Sequence, residues 1–194
     1  MKKITTAVGL FVAVIVAGYT NPPDVIAQDR PAQSVKPHAM MQKLAPLTGQ
    51  WRMATEITED GGKNWQQVAE ELINFEIRHK GMLLAETPIS RSETGFNMEN
   101  YITYDQYREV YRSVAIDDSW GIMDIYEGNF IGDTLVLTNL KSGTSFPVGD
   151  GKWRSFRLNI NVEANLAERR MLIEGSDDGG ATWAPAFRVT YYKQ

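Results

Sequence analysis

The chain has 194 residues, a formal net charge of −4 and no cysteine. This length supports one domain with a sizeable apolar core, and the acidic balance argues against nucleic acid as a partner, because phosphate binding needs a basic surface. The lack of cysteine excludes disulfides, thiolate metal sites, thiol catalysis and the attachment of lipid to a cysteine.

The first 27 residues have the features of a signal peptide. Lys2 and Lys3 precede an apolar run over residues 7–18, which is short for a membrane span, and Ala27 offers a small residue at a cleavage site. We therefore predict a signal peptide over residues 1–27 and export to the periplasm or the medium, with no stable membrane insertion after cleavage. Cleavage near Gly18 and an uncleaved N-terminal anchor are the alternatives.

A proline-rich stretch follows the predicted signal peptide. Residues 28–43 are predicted to be a flexible lead-in, and residues 44–194 to form the folded domain. Apolar residues at the boundary recur at helical spacing, namely Met40, Met41, Leu44 and Leu47. This spacing predicts a short helix or turn over residues 35–47 that closes one end of the domain.

From Trp51 onward the sequence consists of strand-length runs, rich in β-branched and aromatic residues and separated by Gly and Asp turns. The ten runs cover residues 50–58, 65–78, 81–90, 97–104, 108–116, 120–129, 133–139, 152–161, 168–176 and 182–192. A meander of this length closes on itself because closure removes exposed edges. We therefore predict an all-β fold, an antiparallel up-and-down β-barrel of about ten strands. The run 65–78 also fits an amphipathic helix loosely, but the glycine pair before it favours a hairpin strand.

Several short patterns occur in a fixed order. Leu44, Leu47, Gly49 and Trp51 form Leu-x-x-Leu-x-Gly-x-Trp; Tyr-Asp, Gly-Asp-x-Leu and Asp-Gly-Gly-x-x-Trp follow at residues 104–105, 132–135 and 178–183. This set, over roughly residues 44–192, resembles a bacterial family of secreted, calycin-like (lipocalin-like) proteins of unknown function. In the calycin superfamily the Trp closes the barrel floor and an Arg of the last strand lies over it. The resemblance implies these roles for Trp51 and Arg188.

Two turns share a further pattern. Residues 176–183 match Ser-x-Asp-x-Gly-x-Thr-Trp, which resembles the Asp-box of sialidase propellers, and residues 58–65 are a looser copy. In such turns the Asp accepts bonds from turn amides and the Gly takes a positive φ. The structural residues predicted here are Asp60, Gly62, Asp178 and Gly180, besides Gly49, Trp51 and Arg188. The copies lie 118 residues apart, which argues against a propeller, where the repeat is about 40–50 residues. A calcium ion held by the Asp–Gly cluster is an alternative to an ordinary hydrogen-bonded turn.

Alternate turns of an up-and-down barrel lie at the same end. The turns over residues 58–64, 91–96, 117–119, 140–151 and 176–182 therefore share one rim, opposite the floor Trp. This acidic rim carries the aromatic residues Trp65, Phe96, Trp120, Phe146 and Trp183. Aromatic residues at a barrel mouth suit a small apolar molecule that can carry a cationic group, so we predict a ligand site there. The alternative is that the tryptophans only hold their hairpins. Pairing of the first and last strands places the two Asp-box hairpins side by side.

The common catalytic and cofactor motifs do not occur. The sequence has no nucleophile elbow, phosphate loop, dinucleotide fingerprint or histidine cluster, so no catalytic or metal-binding residues and no cofactor are predicted. Haem-binding calycins use a late histidine as axial ligand, whereas this chain has only His38 and His79. Adjacent acids such as Glu70 and Glu71 point to opposite faces of a strand, so they do not form an acid–base pair.

Three functions fit these observations. The first is an exported barrel that binds a small apolar or amphipathic molecule. The second is a filled barrel that serves as a protein-interaction or scaffold module, with an interior blocked by Met, Phe and Tyr side chains and an apolar outer patch. The third is a hydrolase acting on lipid or sugar, which requires an inward cluster of Arg, Tyr and acidic side chains with displaced pKa values. The sequence favours a role without catalysis.

Overall fold

Buried residues alternate with less buried ones in several strands, as in Thr134–Thr138, where Leu135 and Leu137 are buried and their neighbours are partly exposed. The computed structural model describes residues 36–90, 97–163 and 167–194. These residues form a helix, α1 (Lys36–Gln42), and the strands β1 (Gly49–Ile57), β2 (Gln66–Arg78), β3 (Leu83–Pro88), β4 (Met98–Asp105), β5 (Val110–Asp117), β6 (Met123–Ile131), β7 (Thr134–Thr138), β8 (Phe146–Pro147), β9 (Trp153–Asn161), β10 (Glu168–Ser176) and β11 (Ala184–Lys193). Short 3-10 turns lie at Ala45–Leu47 and His79–Gly81.

The strands form one closed sheet. Neighbours along the chain pair antiparallel from β1 to β7, then β7 with β9, β9 with β10 and β10 with β11. β11 pairs with β1, so that Trp51 lies opposite Lys193 and Ile57 opposite Phe187. Ten long strands therefore make the barrel, and the two-residue β8 lies beside β9. The predicted antiparallel up-and-down barrel is confirmed, and residues 66–78 are a strand, as predicted.

The end of the barrel that we call the floor is covered by α1 and the 3-10 turn after it. Met41 is buried in the core, and the Tyr111 hydroxyl donates to the Met40 carbonyl at 2.7 Å. α1 lies within residues 28–43, which the sequence assigned to a flexible lead-in. Because Met41 packs against the barrel, the folded domain begins before residue 44. None of the helices in the described residues is long and apolar enough to cross a membrane.

Trp51 seals the floor from inside. Its indole Nε1 donates to the Leu47 carbonyl at 2.7 Å, and the side chain is 1% exposed. The prediction that Arg188 covers this ring is wrong. The cations over Trp51 are Arg169 of β10, with its guanidinium carbon 5.3 Å from the ring centroid, and Lys193, with its Nζ at 4.4 Å. The register explains the difference, because Trp51 pairs with Lys193, at the end of β11, and Arg188 pairs with Glu56.

Large side chains fill the barrel just above the floor. Tyr104 and Tyr111 pack edge to face with ring centroids 5.1 Å apart, and Phe130 packs on Tyr111 at 5.3 Å. Inward positions on the neighbouring strands are apolar as well, including the buried Leu135 and Leu137. This packing fills the β4–β7 side of the barrel above the floor.

Candidate functional site

The mouth of the barrel lies opposite the floor and carries the turns at residues 58–65, 118–122, 139–152 and 177–183. The two Asp-box hairpins lie side by side in it. The Thr58 amide, at the start of the first turn, donates to the Ala186 carbonyl at 3.1 Å, just after the second turn. Asp60 and Asp178 are therefore at the same end of the barrel.

The same set of hydrogen bonds holds both Asp-box turns. In the second turn the Thr182 amide donates to Asp178 at 2.9 Å, the Ser176 hydroxyl donates to Asp178 at 2.7 Å, and the Gly180 amide donates to Ser176 Oγ at 2.8 Å. The first turn repeats these bonds through Asp60, Thr58 and Gly62. Because the bonds favour the charged form, they lower the pKa of Asp60 and of Asp178 to about 2. Gly62 and Gly180 both have φ +91°, as the pattern predicts.

Each Asp-box Trp packs on the outer wall, against an arginine of the adjacent strand. Arg188 lies 4.6 Å from the Trp65 ring centroid, and its guanidinium donates twice to Glu56 at 2.7 Å. Arg157, Trp183 and Glu174 repeat this arrangement, with 4.6 Å to the ring and a 2.8 Å bond to the carboxylate. Irregular pairing at Thr55/Glu56 and Ile173/Glu174 is repeated too. These tryptophans hold their hairpins to the barrel.

The four predicted rim residues that the structure describes are not gathered around one space. Trp65 and Trp183 pack on the outer wall, and Trp120 is 71% exposed in the turn after β5. Phe146 packs edge to face on the inward-facing Phe156, with ring centroids 5.4 Å apart. Phe96 lies outside the described residues.

A cavity of about 80 Å³ lies inside the barrel. Its apolar walls include Trp51, Phe75, Ile102, Leu158, Met171 and Ile173. Its polar wall residues include Glu86, Asn100, Ser113, Tyr126, Arg169 and Tyr191. A water molecule in the liquid takes about 30 Å³, so the space holds a few non-hydrogen atoms. The barrel is thus mostly filled, but it is not solid.

Glu86 of β3 is the central polar group of the cavity. It is 8% exposed, and its carboxyl accepts a hydrogen bond from Asn100 Nδ2 at 2.9 Å, while the Tyr191 hydroxyl, a second donor, interacts with it as well. Both donors are neutral, and in residues 36–90, 97–163 and 167–194 no Lys or Arg forms an ion pair with Glu86. Burial without a cation therefore raises the pKa of Glu86 from 4.5 to about 7, and burial also raises the pKa of Tyr191.

Further carboxyl groups lie between Glu86 and the mouth. Glu71 shares the inner face, since it pairs with Met53 across β1 and β2, and its pKa is raised by burial and by the negative charge of Asp118. Asp118 itself is bound by the Asn97 amide at 3.0 Å and by the Asn97 side chain at 2.8 Å. The β2–β5 side of the barrel is consequently acidic from the cavity to the rim.

A second buried carboxyl, Asp124, has a structural role. It accepts a bond from Asn139 Nδ2 at 3.1 Å and one from the Thr144 hydroxyl, which ties the link after β7 to β6. Asn139 also accepts the Phe156 amide at 2.7 Å. Asp124 therefore holds this link in place, whereas Glu86 borders the cavity.

The sequence analysis did not select Glu86, Asn100 or Tyr191. The usable signal was strand alternation, because Glu86 lies two residues from the buried Leu84 and so shares its face. The predicted condition for a hydrolase is met only in part. Glu86 and Tyr191 point inward with raised pKa values, but the buried lining arginine, Arg169, donates through Nη1 and Nη2 to backbone carbonyls of the floor.

No metal site accompanies these groups. Within the described ranges, no set of three or more His, Asp or Glu side chains is placed to hold a metal ion. The Asp60 and Asp178 carboxylates accept bonds from their own turns, which is the arrangement of an ordinary hydrogen-bonded turn.

Comparison with known proteins agrees with the architecture. Residues 33–193 match the family model described as "Protein of unknown function (DUF1579)". No curated protein matches the chain. The matched residues include the whole barrel, and a closed barrel of ten antiparallel strands fits a calycin-like fold. Since the match covers most of its length, the chain belongs to the DUF1579 family of proteins of unknown function.

Proposed function

We propose that this protein is exported and binds a small amphipathic molecule in the cavity inside the barrel. The observation that carries the proposal is the meeting of apolar walls with one polar cluster, Glu86, Asn100 and Tyr191. Ligand sites have this composition, mostly apolar and aromatic with a few placed polar groups. A core built for stability alone gains nothing from a buried acid without a cation, because its desolvation costs free energy.

The size of the cavity limits the ligand. At about 80 Å³ it has roughly half the volume of an engineered cavity of about 150 Å³ that holds benzene. Three or four non-hydrogen atoms fit, and the flexible Met98 and Met171 in the wall can adapt to slightly more. The best small ligands gain about 1.5 kcal/mol per non-hydrogen atom, so four atoms give a Kd no lower than about 40 µM.

Binding is tested by NMR of protein labelled with ¹³C at the methionine methyl groups. Propan-1-ol serves as the neutral probe. We expect saturable shifts of Met98 and Met171 in the cavity wall and none of Met123, which is exposed on the outer wall. Ala115→Leu fills the cavity and removes the shifts, whereas Ala184→Leu, at an exposed position, preserves them. The proposal fails if propan-1-ol, propylamine and propionate all leave Met98 and Met171 unshifted.

Export is supported by the charged start, the apolar run and the small residue of the first 27 positions. The test is the intact mass of protein recovered from the periplasm of a bacterial host that expresses the full chain. We expect the mass of a chain that begins at Gln28 or just after Gly18. A full-length mass in the membrane fraction would support an uncleaved anchor instead.

A protein-interaction module is the second candidate, favoured by an apolar strip on the outer wall of β5 and β6. Ile116 pairs with Met123 and Val114 with Ile125, and Met123 is 57% exposed. The strip would bury this surface against a second copy of the chain. Sedimentation tests this candidate. The candidate is supported if the protein forms a dimer that Met123→Lys dissociates and that Val68→Lys, at another exposed position, leaves intact. A protein that stays monomeric at high concentration contradicts this candidate.

A further inference from the structure

Resting on the proposed function, we infer that the cavity takes a small organic cation, a protonated alkylamine, whose ammonium group pairs with the carboxylate of Glu86. The inference deepens the proposal by fixing the charge of the ligand. It begins from the position of a buried carboxyl at the edge of open space, whose partners among the described residues are neutral.

The hydrogen-bonding capacity of the site matches an ammonium group. A carboxylate can accept about four hydrogen bonds, and Glu86 has two, from Asn100 and Tyr191. Asn100 and Ser113 also border the cavity and bring further oxygen acceptors. An ammonium group has three donors and no acceptor, so it can bond Glu86 and its neighbours without leaving a polar atom unpaired.

The walls favour a cation as well. Four aromatic rings border the cavity, those of Trp51, Phe75, Tyr126 and Tyr191. The negative face of an aromatic ring attracts a desolvated cation, and the same rings bury the alkyl part of the ligand. A neutral alcohol of equal size gains the burial of its alkyl part but not the attraction between a cation and the rings.

The charged residues around the cavity do not neutralise the carboxylate of Glu86, so it can pair with a ligand. The titratable and charged residues on the inner side around Glu86 are Glu71 of β2, Asp117 of β5, Asp124 and Tyr126 of β6, Arg169 of β10 and Tyr191 of β11. The arginines near the mouth already have carboxylate partners, as Arg154 has in Asp177 at 2.6 Å and Arg188 in Glu56. An external cation can therefore supply the charge that these residues do not.

Two arginines line the cavity; Arg170 is paired with Glu168 at 2.9 Å, and the other, Arg169, argues for an anion instead. It is 3% exposed, and its Nε has no hydrogen-bond partner in the described residues. Its Nη1 and Nη2, however, donate to the Glu163 and Pro46 carbonyls, and its plane lies over Trp51. A carboxylate ligand would thus find a single free donor there, whereas an ammonium group finds a whole carboxylate at Glu86.

The inference predicts a pH dependence whose sign is fixed. An alkylamine, like Lys, has a pKa of about 10.4 and stays protonated between pH 5 and pH 8. Only the ionised form of Glu86 pairs with it, and the pKa of Glu86 is about 7 in the free protein. Propylamine binding should therefore weaken about 100-fold from pH 8 to pH 5. Binding of propan-1-ol has no such requirement and should change little.

The experiment compares propylamine, propan-1-ol and propionate, which have similar chain lengths and differ in charge, by the shifts of Met98 and Met171. We expect the unaltered protein at pH 8 to bind propylamine at least ten-fold more tightly than propan-1-ol, and propionate most weakly. Glu86→Gln should remove the preference for propylamine and keep the binding of propan-1-ol. Glu59→Gln, the same change at an exposed turn position, should alter neither.

The outcomes separate the inference from the proposed function. Tighter binding of propan-1-ol or of propionate than of propylamine overturns the inference and leaves cavity binding intact. Binding of none of the three overturns both. If Glu86→Gln does not fold, the pH dependence in the unaltered protein decides, since a propylamine affinity that is equal at pH 5 and pH 8 contradicts pairing with Glu86.

Discussion

The floor and the upper interior of the barrel bury opposite charges and stabilise them in similar ways. At the floor, the Arg169 guanidinium is held by two backbone carbonyls and the face of Trp51, with Lys193 on the same ring. In the cavity, Glu86 is held by the amide of Asn100 and the hydroxyl of Tyr191. Neither Glu86 nor Arg169 forms an ion pair with another described residue. The comparison teaches that one cavity carries a buried group of each sign, since Glu86 and Arg169 both border it and Arg169 pairs across the sheet with Tyr191.

The floor has the larger share in stability, and Trp51→Ala tests this directly. The ring is fully buried, and its removal opens the barrel floor and frees the cations stacked on it. We expect the free energy of unfolding to fall by about 3–5 kcal/mol, as for other buried aromatic residues. Urea denaturation measures the change. Trp120→Ala, at an exposed Trp, is the matched control and should stay within about 0.5 kcal/mol of the unaltered protein.

The contribution of Glu86 to the free energy of unfolding should depend on pH. The folded pKa of Glu86, about 7, lies above the unfolded value of 4.5, so the folded protein holds this proton more tightly. Its favourable contribution is present below pH 4.5 and is lost as the pH rises through 7. The loss amounts to at most about 3 kcal/mol by pH 8.

Comparison with Glu86→Gln isolates this contribution. The difference in unfolding free energy between the variant and the unaltered protein should grow in favour of the variant from pH 5 to pH 8. Denaturation at each pH measures it, and Glu59→Gln provides the control for an exposed carboxyl. A difference that does not vary with pH would mean that Glu86 is not the uncompensated acid described above.

Replacing Arg169, the buried cation of the floor, tests the other half of the comparison. Arg169→Met keeps most of the apolar stem but leaves the Pro46 and Glu163 carbonyls without their donor. An unsatisfied buried acceptor costs about 1–3 kcal/mol, so we expect a loss in that range. Arg170→Met, on the exposed neighbour, should change the unfolding free energy much less. Equal effects of the two substitutions would show that the buried position has no special role.

The smallest expected difference in stability is between glycine substitutions in the two Asp-box turns at the mouth. Gly62→Ala and Gly180→Ala both force a side chain into φ +91°, which costs about 1–2 kcal/mol. A Cβ at Gly180 would lie 2.8 Å from a Leu140 methyl, whereas one at Gly62 would lie 3.4 Å from Pro185. Gly180→Ala should therefore lower the thermal midpoint slightly more. The opposite order would show that the Leu140 side chain moves away without cost.

The strands and their closure could be predicted because their causes are local. Alternating side chains and Gly or Asp turns mark each of the ten strands, and a long meander has few ways to avoid exposed edges. The Asp-box turns were predictable for the same reason, since their bonds connect residues at most four apart.

The site and the arginine of the floor depend on contacts that no local pattern encodes. Glu86 meets Tyr191 across the barrel, and whether a cation lies beside it depends on several strands at once. Likewise, the registers of β1 with β11 and of β11 with β10 together decide that Lys193 and Arg169, and not Arg188, reach Trp51. The tryptophans of the hairpins were found from sequence, but their side of the wall depends on Arg188 and Arg157 of the adjacent strands.

The pairing of β1 with β11 has a consequence for how the chain folds. Trp51 and its partner Lys193 come from opposite ends of the domain, so this seam is the contact of longest sequence separation and should form last. The hairpins on either side of it have tight local turns and can form early. A chain that stops before residue 184 would leave β1 and β10 with unpaired edges, a state prone to aggregate. Synthesis of β11, Ala184–Lys193, thus decides whether the nascent chain becomes a closed barrel or an open sheet.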